Sequence, residues 1–161
     1  IIKEVVAIAN EKNIPVGVDP KKKNFLSYKN VTLFKPNLKE LREGLGITVK
    51  DESIDDITNA IDLLHKELNC KYIMTTLSER GVLIKDYDTN TCHHIPAHLR
   101  KIADVSGAGD TVLSVAMLCL VCKQEAYNIA ALSNLAGGLV CEELGAVSIN
   151  KERLFAESKK I

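Results

Sequence analysis

No charge of one sign dominates this 161-residue sequence, in which 21 lysines and arginines are matched by 21 aspartates and glutamates. That balance leaves no electrostatic footprint for nucleic acid or an anionic membrane, so the expected partner is a small molecule. Long hydrophobic runs are missing too, and every apolar stretch is too short or too interrupted to span a bilayer. The opening residues show no basic segment ahead of a small-residue cleavage site, and a cytoplasmic location is expected. The five cysteines are odd in number, and Cys119, Cys122 and Cys141 lie in apolar segments, where a thiol acts as a small hydrophobe; no disulfide framework is implied. Internal repeats and low-complexity segments are absent. So are G-x-x-x-x-G-K-[ST] and G-x-G-x-x-G, which argues against P-loop and dinucleotide-binding folds.

What is present is a hydrophobic content of 46%, enough for one core, and residues 1–161 read as a single domain. "IIKEVVAIANEKNIP" reads as a helix already under way, with Ile1, Val5, Ile8 and Ala9 at helical spacing and no cap before them. With no Met and no preceding strand, the chain is expected to be a fragment or a domain cut from a longer protein. "VGVD" and "VTLF" read as strands, the second leading through "KPN" into a helix over Leu38 to Leu45. "SIDDITNAIDLLHKEL" is an amphipathic helix capped by Ser53, with Asp56 three residues on, and it leads into the strand "YIMTT". "GVLIKDY" and "TCHHIP", separated by the polar "DTN", predict a hairpin or meander. Helices over Asp110 to Cys122 and Ala126 to Glu143, a short strand at "AVSI" and a lysine-rich terminal helix complete the pattern. Strands alternating with helices predict an α/β layered domain with a mainly parallel sheet.

Two groupings carry metal-ligand residue types. Cys119-x-x-Cys122 lies within a helical stretch with no second cysteine pair nearby. In "CHHIPAH" (Cys92, His93, His94, His98) neighbouring histidines on a strand point to opposite faces, so an exposed strand edge is the expected reading.

Ligands of such sheets bind where strands end and helices begin, which singles out "KPNLKE", "TTLSERG" and "DVSGAGD". In the last of these, Gly107, Ala108 and Gly109 have little or no side chain, so an anion can approach amides that open a helix and lack internal partners. Asp110 follows in the first turn, where the helix dipole favours negative charge. A carboxylate beside an anion-binding nest is what phosphoryl transfer to an alcohol requires: the carboxylate takes the hydroxyl proton while the amides neutralise phosphoryl oxygens. A glycine-rich turn with Asp110 capping a buried helix accounts for the same residues. Likewise, an Asn cap with Glu at the third helical position accounts for Asn37 and Glu40.

"DVSGAGDT" resembles the D-x-x-G-A-G-D signature of the ribokinase-like (pfkB) carbohydrate kinases, which implies a layered α/β/α fold. By that resemblance Asp110 is the catalytic base, and Gly107, Ala108 and Gly109 form the anion hole. "NLKE", Asn37-Leu38-Lys39-Glu40, is similar to the family's N-x-x-E motif, which implies that these residues hold ATP phosphates and magnesium, Glu40 through water. "TTLSERG" resembles the family's nucleotide loop, with Thr76, Ser78 and Gly81 in the corresponding places; Ser78 stands where many relatives have glycine. "AALSNLAGGLVCEELGA" resembles the segment lining the adenine pocket, which implies nucleotide contacts at Asn134 and Gly138. Asp104 and Ser106 fall where relatives hold a monovalent cation such as K+.

The resemblance covers the carboxyl-terminal part of the family fold; the amino-terminal half and the lid, which contact the sugar and often form a homodimer, are missing. "DPKKKNFLSY", "KPNLKE" and "DVSGAGDTV" look most like D-glycero-D-manno-heptose 7-phosphate kinase domains, often fused to an adenylyltransferase in ADP-heptose synthesis, with Lys35 replacing the usual Thr before Pro36. The implied activity is ATP-dependent phosphorylation of that sugar phosphate, and the isolated chain is expected to be inactive. Another sugar kinase acting on ribose, fructose or a fructose phosphate, or a non-catalytic nucleotide-binding module, is the alternative.

Overall fold

The computed structural model describes residues 1–49, 53–98 and 100–160. Its five strands are β1 (Gly17–Val18), β2 (Leu33–Phe34), β3 (Tyr72–Thr76), β4 (Val82–Asp86) and β5 (Thr91–Ile95), and their spatial order follows the chain. β1, β2 and β3 pair in parallel, β3 pairs antiparallel with β4, and β4 and β5 form the expected hairpin.

Successive strand residues point to opposite faces, and the apolar ones sort into two cores accordingly. Phe34, Ile73 and Leu83 face one layer, made by α1 (Ile2–Glu11), α2 (Leu38–Leu45) and α3 (Ile54–Leu68). Leu33, Met74 and Ile84 face the other, made by α4 (Ala108–Val121), α5 (Ala126–Val140) and α6 (Lys151–Ser158). The result is the layered α/β/α fold that the family resemblance implied. Among the described residues no helix is long and apolar enough to cross a membrane.

Local signals set the helix ends. The Ser53 hydroxyl accepts from the Asp56 N–H at 3.0 Å and starts α3, and left-handed Asn69 stops it. Three sequence expectations need correction. Residues 146–149 form no strand: Ile149 packs onto the α4–α5 core, so its apolar pattern reflects helix packing rather than sheet pairing. Helix α5 ends at Val140 instead of Glu143, because the Cys141 carbonyl turns to accept from Ala103 N–H (2.8 Å) and Asp104 N–H (3.2 Å). Helix α4 starts at Ala108, two residues early, because left-handed Gly107 (φ 77°) already turns the chain into it. Single 3-10 segments at Lys22–Ser27 and Ser78–Arg80 had no signal in the apolar periodicity.

The approach to α4 is closed by Asp104, one of whose oxygens accepts from the Ser106 N–H (3.0 Å) and hydroxyl (2.8 Å) and the other from the Gly145 N–H (3.0 Å). These bonds, those from Ser106 first, hold its carboxyl below the usual carboxylate range. The lower value belongs to the folded state, so the stability involved is present above the unfolded carboxylate pKa of about 3.9 and is lost as pH falls through the folded value. Asp104→Asn is therefore expected to flatten the acid limb of melting temperature against pH; acid limbs that run parallel in variant and parent would contradict this assignment. Gly81 also admits only one residue type, since its φ of 88° is left-handed and a Cβ there would lie 2.0 Å from the Ile95 carbonyl oxygen. Gly81→Ala is expected to cost about 2 kcal/mol or more, measured by urea unfolding.

Candidate active site

Parallel pairing sends the carboxyl ends of β1, β2 and β3 to one edge of the sheet. Asp19 leaves β1 there, Lys35 to Asn37 leave β2, and Leu77 and Ser78 leave β3. The Thr76 N–H donates to the Pro36 carbonyl at 3.1 Å, and Asn37 and Thr76 form a further parallel bridge, so the N-x-x-E and "TTLSERG" loops lie side by side. The first turn of α4 meets the same edge: a Cβ on Gly109 would stand 3.6 Å from Lys35 Nζ.

Asn37 and Glu40 form a full capping box, each side chain accepting from the other's backbone N–H at 2.8 Å. The local role that the sequence allowed is thus real, and it leaves the Asn37 amide nitrogen and one Glu40 oxygen for other partners. Within the same turn Leu38 packs into the core, while Lys39 reaches outward toward Glu43 at 4.0 Å.

At the start of α4 the Ala108 N–H turns to the Val105 carbonyl at 3.3 Å, while the Gly109 and Asp110 N–H groups have no acceptor among the described residues. Asp110 itself is exposed in that turn, with no side-chain cap bond. Its field reaches Lys21, whose ammonium is held above the usual lysine range first by Asp19, 3.4 Å away, then by Glu40 and Asp110. Asp19, Glu40 and Asp110 thus all bear on one exposed ammonium. The free Glu40 oxygen and the free helix-start amides are groups of the kind that bind magnesium and polyphosphate oxygens.

The remaining predicted residues lie at differing removes from these groups. Ser78 is left-handed (φ 55°), which gives the physical reason that glycine suits its position. Thr76 is half-buried beside Asn37, and Gly81 ends the loop, its carbonyl accepting from Leu77 N–H at 2.8 Å. On α5, Asn134 donates to the Pro96 carbonyl at 2.9 Å, and a Cβ on Gly138 would lie 3.3 Å from Arg100 Cδ. Arg100 is itself held by Glu142 (2.8 Å) and Glu157 (3.3 Å). Gly137 brings α5 against Val112 in α4, and a Cβ there would lie 3.9 Å from the Ala108 carbonyl oxygen, so this helix borders the first turn of α4. Asp104 and Ser106 bond each other and Gly145, closing the loop that precedes Gly107. Among the described residues no group of three or more His, Cys, Asp or Glu side chains is arranged to hold a metal ion by itself.

Sequence reasoning noted Lys35 only as a replacement and placed Asp19 only at the end of the strand "VGVD". The structure joins them: Lys35 is 3% exposed, and its Nζ lies 2.6 Å from an Asp19 oxygen. The available signal was a lysine ending the apolar run "VTLF", since a charge placed there must find a partner.

The sequence profile of pfkB family carbohydrate kinases matches residues 1–153. A bifunctional protein HldE of Campylobacter curvus is 38% identical over 150 residues, covering 93% of this chain and 30% of that protein. One from Syntrophotalea carbinolica is 34% identical over 154 residues, covering 96% and 31%. The chain therefore spans about a third of the length of these curated relatives. Among solved structures, phosphofructokinase-2 from Escherichia coli in complex with potassium superposes with a TM-score of 0.85 at 20% identity, over 96% of this chain and 50% of that one. Ribokinase from Arabidopsis thaliana, complexed with ribose and ATP, superposes at 0.82 and 19% identity, over 99% and 52%. With the profile matched along nearly its whole length and the site loops meeting at one sheet edge, this chain belongs to the pfkB family of carbohydrate kinases.

Proposed function

We propose that this chain is the nucleotide-binding and catalytic part of a cytoplasmic ATP-dependent kinase whose acceptor is D-glycero-D-manno-heptose 7-phosphate. The observation that supports the kinase chemistry is the meeting of two stretches far apart in sequence: a Cβ on Gly109, beside the free amides of α4, would stand 3.6 Å from Nζ of Lys35, two residues before Asn37. The heptose assignment is supported by the likeness to the HldE proteins and by the "DPK", "KPNLKE" and "DVSGAGDTV" elements. Phosphofructokinase-2 and ribokinase superpose over 96% and 99% of the chain at 20% and 19% identity, which keeps fructose phosphates and ribose as the second reading.

In this reading Asp110 accepts the proton of the acceptor hydroxyl, and the amides that follow Gly107 neutralise the equatorial oxygens of the phosphoryl group in transfer. Asn37 bonds a phosphate oxygen through its amide nitrogen, and Glu40 orients the hydration shell of magnesium, which supplies charge neutralisation when bound. Thr76, Ser78 and Gly81 shape the nucleotide loop, Asn134 and Gly138 border the base, and K+ near Asp104 and Ser106 would steady the amides. The acceptor and any homodimer contact come from the lid region that the family resemblance implies.

ATP consumption by the natural gene product, with magnesium and potassium present, is to be measured against heptose 7-phosphate, fructose phosphates, fructose and ribose. Selective turnover of heptose 7-phosphate is expected; selective turnover of another sugar moves the substrate assignment, and nucleotide binding without turnover ends the enzyme assignment. On the preferred sugar, Asp110→Asn is expected to lower kcat by about 10²- to 10⁴-fold with little change in ATP affinity. Retained turnover would remove Asp110 as the base.

A further inference from the structure

We propose that Arg100 is a positioning residue of this site: by bridging Glu142 and Glu157 it holds the entry to α4, and with it the amides of Gly109 and Asp110, in one fixed orientation. The proposal rests on the kinase reading above.

Two stretches frame the start of α4. Residues 100–107 lead into the helix, and residues 141–146 follow α5. Backbone bonds join them where the Ala103 and Asp104 N–H groups donate to the Cys141 carbonyl and the Asp104 carboxylate accepts from the Gly145 N–H. Left-handed Gly107 then turns against Ala146, so that a Cβ on the glycine would lie 3.3 Å from the Ala146 Cβ. Arg100 adds a side-chain bond between the same two stretches, donating to one Glu142 oxygen at 2.8 Å, and it reaches α6 through Glu157 at 3.3 Å. The other Glu142 oxygen accepts from Arg153, which also meets Glu143 at 3.1 Å. One carboxylate thereby ties the loop after α5 to two arginines. The guanidinium has no room to swing toward α5, since a Cβ on Gly138 would already lie 3.3 Å from Arg100 Cδ.

Fold stability alone does not account for an arginine here. Its side chain is 12% exposed, and its Nε is buried with no hydrogen-bond acceptor among the described residues. A buried donor without a partner is costly, and a buried ion pair is commonly matched by apolar residues of similar volume. What apolar contacts lack is direction. A planar guanidinium with its terminal nitrogens on two carboxylates is fixed in both place and angle. That direction matters at this point of the fold, because residues 104–107 determine where the unfilled amides of Gly109 and Asp110 point. Misplacing a reacting group by about 1 Å costs on the order of 10²-fold in rate. Arg100 acts only through the backbone it anchors and takes no part in making or breaking bonds.

The test uses the natural gene product with Arg100→Lys, Arg100→Met, and Arg100→Met combined with Glu142→Leu, each followed by melting temperature, steady-state kinetics and amide hydrogen exchange. Arg100→Met is expected to lower kcat by about 10- to 10²-fold, with KM for ATP and for sugar within about twofold of the parent. Exchange at residues 104–112 is expected to quicken about tenfold while that of β3 keeps its rate. Arg100→Lys, which keeps a charge opposite Glu142, is expected to recover most of kcat. The double variant, with apolar groups in place of the pair, is expected to regain melting temperature but not kcat, and it carries the test where the single variant does not fold. A kcat within about twofold of the parent in Arg100→Met, or a double variant that regains both melting temperature and kcat, would overturn the proposal. Should the parent phosphorylate no sugar, the kinase reading fails on its own. Exchange at residues 104–112 then decides Arg100, and rates equal to the parent's end the positioning role.

Discussion

Strands that pair in parallel send their carboxyl ends to the same edge of a sheet, and in this chain that geometry decides which loops can meet. β1 and β2 are two residues long in their regular part, so the parallel region is small. It nevertheless brings Asp19, Lys35, Asn37 and Thr76 together from three separate stretches. Phe34 and Ile73 on one face and Leu33 and Met74 on the other are fully buried, so the register cannot slip by one residue without exposing both sets. The edge that carries the candidate site is thereby tied to the two cores.

Onto that edge the second layer adds helix α4, apolar enough along its length to be set by packing rather than by charge. Left-handed Gly107 and the Asp104 hydrogen bonds determine where the helix starts, and hence where its unfilled amides point. The hairpin β4–β5 completes the frame on the other side, with Gly81 held against the Ile95 carbonyl. Each of these devices is local.

Much of this was legible in the residues. Helix α2 spans Leu38–Leu45 as its spacing predicted, because Asn37 and Glu40 state its start locally and left-handed Gly46 its end. Ser53 and Asp56 did the same for α3. The "AVSI" segment misled because a short apolar run looks alike whether it pairs in a sheet or lies across helices. The GAGD loop and the N-x-x-E motif were both visible, but their adjacency was not, since about seventy residues lie between them.

By itself, the sequence determined the element types, the caps and the family signatures, all of which depend on residues within a few positions of one another. Tertiary structure alone decided that Lys35 is buried against Asp19 and points at Gly109. The physical reason is that burial and ion pairing depend on which strands become neighbours, and that choice is made by the packing of the whole sheet between its helices.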